Sequence, residues 1–362
     1  MLWLPLILIL PYLFLLLRIY NGILKIKPFQ SSTDPVTSVS VVVACHNEQE
    51  NLPKIINRIT NQNYPQDLFE IIIVDDNSDD NTFEIASQFK RTCKIIALNN
   101  TGKGKKQAIR TGINSTSGKL IITTDADCTM EKNWIRTIAA FYEKHKPDLI
   151  ICPVQIETRH GFFGRFQELE FLSLQGITAG SSLIGEATMC NGANLSFPKE
   201  TYLIHSENLH DEIPSGDDIF LLQSLKKETN SKILWLESRA AVVTTAASPS
   251  AMSFLKQRNR WVKKSQAYSD TFTIALGIVT FFTIITLISL LAAGFFLPRF
   301  LLVFLTAFIV KSIPDFLILL NTTKRYGRIK LMWWFMPSQI VYPFYILGVV
   351  CNSLISPTRI SK

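Results

Sequence analysis

Two aspartates, Asp125 and Asp127, stand one residue apart directly after the run LIITT at positions 120–124. In a β-strand, residues i and i+2 lie on the same face of the sheet, so these two carboxylates can converge on one object. A cation bound to a phosphate is such an object. The alternative is a solvated turn after the strand, because aspartate also favours turns. The neighbouring segments of the sequence are needed to distinguish a cation site from a solvated turn.

Short apolar runs alternate with helix-compatible stretches between residues 36 and 152. The runs occupy 36–44, 70–75, 94–98, 120–124 and 148–152, and the helical stretches occupy 50–61, 81–89, 105–114 and 133–144. This alternation predicts an α/β domain with a mostly parallel sheet that is covered on both faces. Ligands of such sheets bind at the carboxyl ends of the strands. Polar clusters at 45–48, 75–78 and 125–127 follow three of the runs, which favours a binding site.

Six motifs give residues 36–265 a resemblance to glycosyltransferase family 2. In chain order they are VVVACHNEQENL, VDDNSDDNT, GKGKKQAIRTG, DAD, SGDD and QRNRW. The resemblance implies a GT-A fold, which is a Rossmann-like α/β domain that binds a nucleotide-sugar. The segment GKGKKQ is not a Walker loop, because the glycine spacing and the terminal serine or threonine are absent.

The resemblance assigns the nucleotide to the first three motifs. Asp76 matches the aspartate that accepts a hydrogen bond from the nucleobase, and Asp75 lies beside it. Ala44 and Glu48 match the loop around the nucleoside. Lys105, preceded by glycine, matches the lysine near the ribose and the diphosphate. For the flanking Lys103 and Lys106, an exposed basic helix start stays an equal alternative.

The same resemblance assigns Asp125 and Asp127 to the DxD motif, in which a divalent cation links carboxylate and nucleotide diphosphate. Asp127 is then the closer metal ligand. Carboxylate oxygens suit Mg²⁺ or Mn²⁺, and such a cation stabilises the charge on the departing diphosphate. The family implies Asp218 as the catalytic base, with Asp217 where a glutamate is usual. An ordinary helix N-terminus is the alternative for this pair.

Two further segments match motifs of the family. CNGANLSF at 190–197 matches the segment that supports donor sugar and acceptor, with Asn191, Gly192 and Asn194 as candidates, and a tight turn is compatible with that role. QRNRW at 257–261 matches the QxxRW motif of cellulose, chitin and hyaluronan synthases and of ceramide glucosyltransferases, which contacts the diphosphate and the acceptor end. One helical face can present Gln257, Arg260 and Trp261. A basic interfacial helix before a membrane span is the alternative.

Four segments of the 362-residue chain are long and apolar enough to cross a bilayer. They are residues 1–17, 271–298, 300–320 and 331–357. We therefore expect an N-terminal anchor at 1–20, a cytoplasmic GT-A domain at 30–265 and a membrane domain of about three helices at 271–357. A cleaved signal peptide is disfavoured, because a basic n-region and a cleavage site are missing.

Basic residues near the segment ends predict the orientation. Arg18, Lys25 and Lys27, together with clusters at 256–264 and 324–330, fall on one side, which we expect to be cytoplasmic. The opposite side carries the weaker set of Arg299, Arg359 and Lys362. We expect a multi-pass protein of the cell membrane. The net charge of +8 then reflects topology and anionic lipids rather than nucleic acid.

The six cysteines show no CxxC spacing and lie mostly in apolar runs, so we expect reduced core residues rather than a zinc site or a disulfide framework. They are Cys45, Cys93, Cys128, Cys152, Cys190 and Cys351.

Three functions are compatible with these features. The first is an inverting, metal-dependent transfer of a sugar from a nucleotide-diphosphate sugar, for which we expect a UDP-sugar, to a lipid-linked or other membrane-associated acceptor, lipid or glycan. The second is a processive polysaccharide synthase, for which four spans give little channel wall unless a homo-oligomer or partner subunit supplies more. The third is a non-catalytic scaffold, which the intact motifs disfavour. A polyprenyl-phosphate sugar synthase is also disfavoured, because QRNRW is not a feature of that branch.

Lys311 and Asp315 interrupt the third apolar segment on either side of Pro314. Their i, i+4 spacing places them on one helical face. Charges at bilayer depth rarely face lipid, so we expect a pair. This pair either packs the helices together or lines a polar pocket that takes the head of a lipid acceptor.

Overall fold

The computed structural model describes residues 3–31, 33–89, 94–157, 159–213 and 215–355. The chain divides into two compact units. The sheet unit contains Lys27–Glu157 and Met189–Ala246, and the helical unit contains Met1–Ile26, Thr158–Thr188 and Ala247–Arg359. Cys93, Arg359 and Lys362 lie outside the described residues. The cysteines within them are free, and three are buried: Cys45, Cys128 and Cys152.

The sheet unit is built on a seven-stranded, mostly parallel sheet, as the sequence predicts. Its strand order is β3-β2-β1-β4-β8-β6-β9, and β8 runs antiparallel to both neighbours. A second sheet has the order β5-β10-β7. The strands are β1 (Val39–Cys45), β2 (Phe69–Asp75), β3 (Ile95–Asn99), β4 (Leu120–Asp125), β5 (Thr129–Met130), β6 (Leu149–Ile151), β7 (Val154–Ile156), β8 (Leu195–Pro198), β9 (Ile233–Trp235) and β10 (Val243–Thr245).

Helices cover the sheet closely enough to explain its apolar strands. All seven residues of β2 are buried, as expected for a parallel strand covered on both faces. The helices of this unit are α2 (Leu52–Thr60), α3 (Thr82–Gln88), α4 (Lys105–Asn114), α5 (Trp134–His145), α7 (Lys199–His205) and α8 (Asp217–Lys226). At Gly112 of α4 a Cβ atom would lie 2.6 Å from Val42, so only glycine permits this approach of helix to sheet.

The helical unit contains four helices long and apolar enough to cross a membrane. They are Leu4–Leu24, Thr271–Phe296, Arg299–Arg325 and Ile329–Ile355. Within these spans the α-helices are α1 (Leu10–Leu24), α10 (Thr271–Phe296), α11 (Arg299–Arg325) and α12 (Phe335–Ile355). The helix α11 continues through Pro314.

Two more helices belong to the helical unit, α6 (Gly161–Leu183) and α9 (Ala251–Ser265). The expected boundary at residue 265 assigned both to the GT-A domain. They cluster with the apolar helices because they pack directly against them. At the crossing of α1 and α6, a Cβ atom on Gly22 would lie 2.1 Å from the carbonyl oxygen of Gly180. Small residues that let two backbones meet are typical of helices that associate in membranes.

Candidate active site

The carboxyl ends of three parallel strands place the polar motifs at one edge of the sheet. In register, Cys45 of β1 pairs with Asp75 of β2, and Ala44 pairs with Asp125 of β4. The backbone N–H of Asp76 donates to the carbonyl of Cys45 at 2.7 Å. Three sequence motifs therefore meet at this edge.

Asp76 links the end of β2 to the start of α4. Its Oδ1 accepts hydrogen bonds from Asn100 Nδ2 at 2.7 Å and from the backbone N–H of Gly104 at 2.9 Å. Gly104 has φ +89, a conformation that glycine adopts without strain. The bond from Gly104 fixes the position of the next residue, Lys105.

Asp75 is buried and keeps one acceptor unused. Its Oδ2 accepts from the backbone N–H of Ser78 at 3.1 Å. Its Oδ1 has no hydrogen-bond partner among the described residues. Because a buried carboxylate oxygen without a partner is costly, Asp75 offers an acceptor to a donor group on a ligand.

Lys105 carries a positive charge among carboxylates. Its Nζ pairs with Asp125. Burial opposes the charge on Lys105, but the nearby carboxylates of Asp125, Asp217 and Asp218 outweigh that effect and raise its pKa above the ordinary value. The lysine therefore stays protonated over the physiological range, as binding of a diphosphate requires.

Asp127 lies beyond the end of β4, in a turn, so strand alternation does not place it beside Asp125. Its Oδ2 accepts from Thr245 Oγ1 at 3.0 Å. Among the described residues no cluster of three or more His, Cys, Asp or Glu side chains could hold a metal by itself. A cation here would need oxygen ligands from a substrate as well.

The pKa of Glu48 reflects the negative charge around Asp125 and Asp127. Burial raises the pKa of Glu48, and the charges of Asp127, Asp125 and Asp80 raise it further, against a hydrogen bond from Asn51. Excess negative charge with hard oxygen donors is the chemistry that suits Mg²⁺ or Mn²⁺. The carboxylates of Asp125 and Asp127 fit such an ion.

Asp218 is joined to the segment at 191–194. Its Oδ2 accepts from the backbone N–H of Gly192 at 2.9 Å. Asn191 accepts from the backbone N–H of Ala193 at 3.0 Å and so caps a short 3₁₀ turn. Asp217 begins α8 after Gly216, whose φ is +99.

Asn194 is fully buried, and its side-chain amide is used within the fold. Its Nδ2 donates to the carbonyls of Pro153 and Ala241 at 2.7 and 2.8 Å, and its Oδ1 accepts from Trp134 Nε1 at 3.0 Å. Asn194 therefore positions the segment that carries Gly192, whereas the sequence suggested a contact with the substrate.

A protein-family model matches part of the chain. Residues 40–201 match the family model "Glycosyl transferase family 2". They form a family 2 glycosyltransferase domain.

Two known proteins illustrate the likeness. A poly-beta-1,6-N-acetyl-D-glucosamine synthase of Staphylococcus epidermidis is 29% identical over 191 residues, which are 50% of this chain and 46% of that protein. An undecaprenyl-phosphate 4-deoxy-4-formamido-L-arabinose transferase of Serratia proteamaculans is 41% identical over 101 residues, 27% of this chain and 31% of that one. The aligned stretches span less than half the length of either relative.

One solved structure shares the fold over nearly the whole chain. The mannosyltransferase PcManGT of Pyrobaculum calidifontis, in complex with GDP-Man and Mn²⁺, aligns with 98% of this chain and 99% of its own at a TM-score of 0.61 and 17% identity. At this identity the likeness concerns the fold alone. The predicted GT-A fold is confirmed.

Two predicted regions lie beyond the glycosyltransferase family 2 match, namely the Asp217–Asp218 pair and the QRNRW segment on α9. On α9, Gln257 and Trp261 are partly buried and Arg260 is exposed, while Arg258 is buried. The sequence pattern drew attention to Arg260 and missed Arg258.

Arg258 is the centre of the polar contacts on α9. Its Nε donates to Glu170 Oε1 at 2.8 Å, and its Nη1 donates to Gln257 Oε1 at 2.6 Å. Its guanidinium lies 4.0 Å from the ring centroid of Trp261. Burial opposes the charge of Arg258, yet its pairing with Glu170 raises its pKa above the ordinary value. Gln257 and Trp261 are thus organised around Arg258.

Lys106 is the second functional candidate that the sequence did not resolve. An exposed helix start was one expectation for Lys103 and Lys106, and it holds for Lys103 but is wrong for Lys106. Lys106 Nζ donates to the carbonyls of Leu209, His210 and Ile213, each at 2.7 Å. Burial lowers the pKa of Lys106. Lys106 therefore connects α4 to the segment that leads into α8.

Proposed function

We propose that the protein is a metal-dependent, inverting glycosyltransferase that moves a sugar from a nucleotide-diphosphate sugar to a membrane-associated acceptor. The observation that carries this proposal is the convergence at one sheet edge of a protonated Lys105, the Asp125 and Asp127 carboxylates and a free acceptor on Asp75. A protonated lysine and a hard cation together suit a diphosphate.

The nucleobase is proposed to lie at Asp75 and Asp76. Asp76 Oδ1 already accepts from Asn100 and Gly104, so Asp76 Oδ2 and Asp75 Oδ1 are the acceptors proposed for a ring N–H. Uracil and guanine both carry such a group. A UDP-sugar is our first donor to test, and the GDP-Man bound by PcManGT makes GDP-mannose the second.

The transfer is proposed to use Asp218 as the base. A hydroxyl oxygen of the acceptor attacks the anomeric carbon, the bond from that carbon to the diphosphate breaks, and the hydroxyl proton passes to the Asp218 carboxylate. The N–H of Gly192 holds this carboxylate in place. Lys105 binds the diphosphate by its charge. Mg²⁺ or Mn²⁺, held by Asp127 and Asp125, would offset the charge that develops on the leaving diphosphate.

We further propose that the four apolar helices hold the enzyme in the cell membrane with the sheet unit in the cytoplasm. The lengths of the helices and the placement of basic residues support this orientation. The acceptor is then a lipid or a lipid-linked glycan. A processive polysaccharide synthase is the second candidate, and the likeness to the poly-beta-1,6-N-acetyl-D-glucosamine synthase favours it.

The decisive experiment incubates the purified full-length protein with labelled UDP- and GDP-sugars, Mn²⁺ and total membrane lipid. Products are separated by their extractability into organic solvent. Label in a lipid product, nearly lost with Asp127→Asn at a limiting Mn²⁺ concentration and retained with the exposed control Asp67→Asn, supports the proposal. Label in an insoluble polymer supports the polysaccharide synthase. No turnover of any donor by the wild-type protein contradicts both.

A further inference from the structure

A polar cavity lies inside the helical unit, at the level of the charged residues of α11. Its volume is about 60 Å³, enough for on the order of four water molecules. Its polar lining comes from α1, α6, α11 and α12 and comprises Tyr12, Glu170, Ser173, Lys311, Asp315, Ser338, Gln339 and Tyr342. Leucine and isoleucine side chains such as Leu16 and Ile318 complete it. The cavity is therefore amphipathic.

The charges that line this cavity are already neutralised. Lys311, 1% exposed, places Nζ 2.6 Å from Asp315 Oδ2 and donates to Gln339 Oε1 at 2.8 Å. It also lies 5.1 Å from the ring centroid of Tyr342. Glu170 is paired with Arg258. The polar part of the lining carries no net charge.

The depth of Lys311 makes a purely lipid-facing role untenable. It is the thirteenth residue of the 27-residue helix α11, about 18 Å along the axis from the first residue at 1.5 Å per residue. Charged groups at such depth are buried against protein or face a polar cavity. The Lys311–Asp315 pair is buried against protein and also lines the cavity.

The hydroxyl group of Ser338 favours a ligand site over an ion pair that only packs the helices together. Its side chain is on α12, the residue is 8% exposed, and it lines the cavity. Its Oγ has no hydrogen-bond partner among the described residues. A hydroxyl beside an open volume calls for a hydrogen-bond partner, which a ligand hydroxyl would supply.

We propose that this cavity receives the uncharged, hydroxyl-bearing head of a lipid. A lipid phosphate is disfavoured, because Lys311 is the one cation among the described lining residues and Asp315 already neutralises it. The small volume suits a head with one or two hydroxyl groups, such as that of a diacylglycerol.

The test uses the full-length protein in phosphatidylcholine nanodiscs with a diazirine-bearing diacylglycerol as the probe. After illumination, the labelled peptides are mapped by mass spectrometry. We expect label on α11 and α12, competed at least tenfold by excess dioleoylglycerol and not by undecaprenyl phosphate. Ser338→Leu fills the cavity and should reduce labelling at least tenfold, and Ser338→Ala should reduce it less. The matched control Ser353→Leu on the same helix should not.

Three outcomes would overturn the proposal: labelling that Ser338→Leu leaves unchanged, label confined to other helices, or better competition by undecaprenyl phosphate. A retained thermal unfolding temperature in Ser338→Leu and in Ser338→Ala excludes misfolding as the cause of a loss of labelling. Because labelling needs no nucleotide-sugar, it is independent of turnover. Site-specific labelling in a protein that turns over no donor would remove the proposed function while retaining the lipid site.

Discussion

The carboxylate of Asp218 is held 2.9 Å from the backbone N–H of Gly192, 26 residues earlier in the chain. The hydrogen bond occupies Oδ2, and Oδ1 accepts from the backbone N–H of Ile219 at 2.8 Å. Each oxygen has a second lone pair, so the carboxylate can still accept a proton. Its orientation is fixed before any substrate binds.

Asp218→Asn should lower turnover by about 10² to 10⁴, the usual scale for loss of a general base. The asparagine oxygen can still accept from Gly192, so binding of the nucleotide should persist. Turnover and nucleotide affinity, measured separately on the same preparation, test this. Unchanged turnover in Asp218→Asn with lost turnover in Asp217→Asn would move the role to Asp217.

Asp127→Asn should weaken the binding of Mn²⁺. An amide is a poorer ligand than a carboxylate for a hard cation, so the Mn²⁺ concentration for half-maximal turnover should rise by about tenfold or more. A titration of Mn²⁺ into chelator-treated protein measures this. Asp67→Asn, at an exposed position of the same unit, should titrate like the wild type. Full wild-type activity in excess chelator would exclude metal dependence.

Lys106→Met should lower kcat while leaving the KM for the donor nearly unchanged. The substitution removes three hydrogen bonds to the segment before α8, so Asp217 and Asp218 should lose their fixed position whereas Lys105 keeps its own. Steady-state kinetics with varied donor concentration separate the two constants. Lys103→Met removes an exposed charge nearby and serves as the control. Equal losses in both variants would point to net charge instead of positioning.

Glu70 should make the sheet unit less stable in acid. Burial opposes its ionisation, but Lys94 and hydrogen bonds from Ser40 and Ser117 outweigh burial and lower the pKa of Glu70 to about 2. When folding lowers the pKa of a carboxyl group, the ionised group stabilises the folded state at pH values above its unfolded-state pKa, which is 4.5 for Glu70. This stabilisation is lost as the pH falls toward 2. A shift of this size corresponds to about 3 kcal/mol.

Chemical unfolding at pH 7 and pH 3 measures that loss for the wild type and for Glu70→Gln. The variant should be less stable at pH 7 and should lose less stability between the two values. Parallel losses in both proteins would assign the acid sensitivity to other carboxylates.

Lys311→Met should destabilise the helical unit more than the double substitution Lys311→Met with Asp315→Leu. The single variant leaves Asp315 buried without its cation, which typically costs about 3–5 kcal/mol. The double variant removes both charges. Thermal unfolding in detergent compares them. A double variant as unstable as the single one would show that the hydrogen bonds to Tyr12 and Gln339 matter more than the charge.

The sequence predicted the sheet edge well, because strand ends and ligand sites follow from local pattern. Runs such as 120–124 identify strands by composition alone, and parallel strands must align their carboxyl ends. The position of Asp127 did not follow from that pattern. The strand ends at Asp125, and Thr245, far along the chain, holds Asp127 instead.

Long-range partners explain the other differences. Lys106 bonds to carbonyls 103 to 107 residues away, and backbone acceptors leave no trace in a sequence. The QxxRW motif selects Arg260 and leaves Arg258 unspecified, and only the position of Glu170 on α6 shows that Arg258 is the buried, paired arginine. The predicted GT-A domain at 30–265 also included α6. The charged residues of α6 gave no indication in the sequence that this helix packs against the apolar helices.

Tyr12 donates to Asp315 at 2.6 Å across a separation of 303 residues. During translation at about 5–20 residues per second, that separation is roughly 15–60 s of synthesis. The first apolar helix is therefore synthesised well before α11, because the ribosome translates the whole α/β domain between them. The bond between Tyr12 and Asp315 can form only once α11 has been made, and a chain that stalls before α11 leaves Tyr12 without this partner.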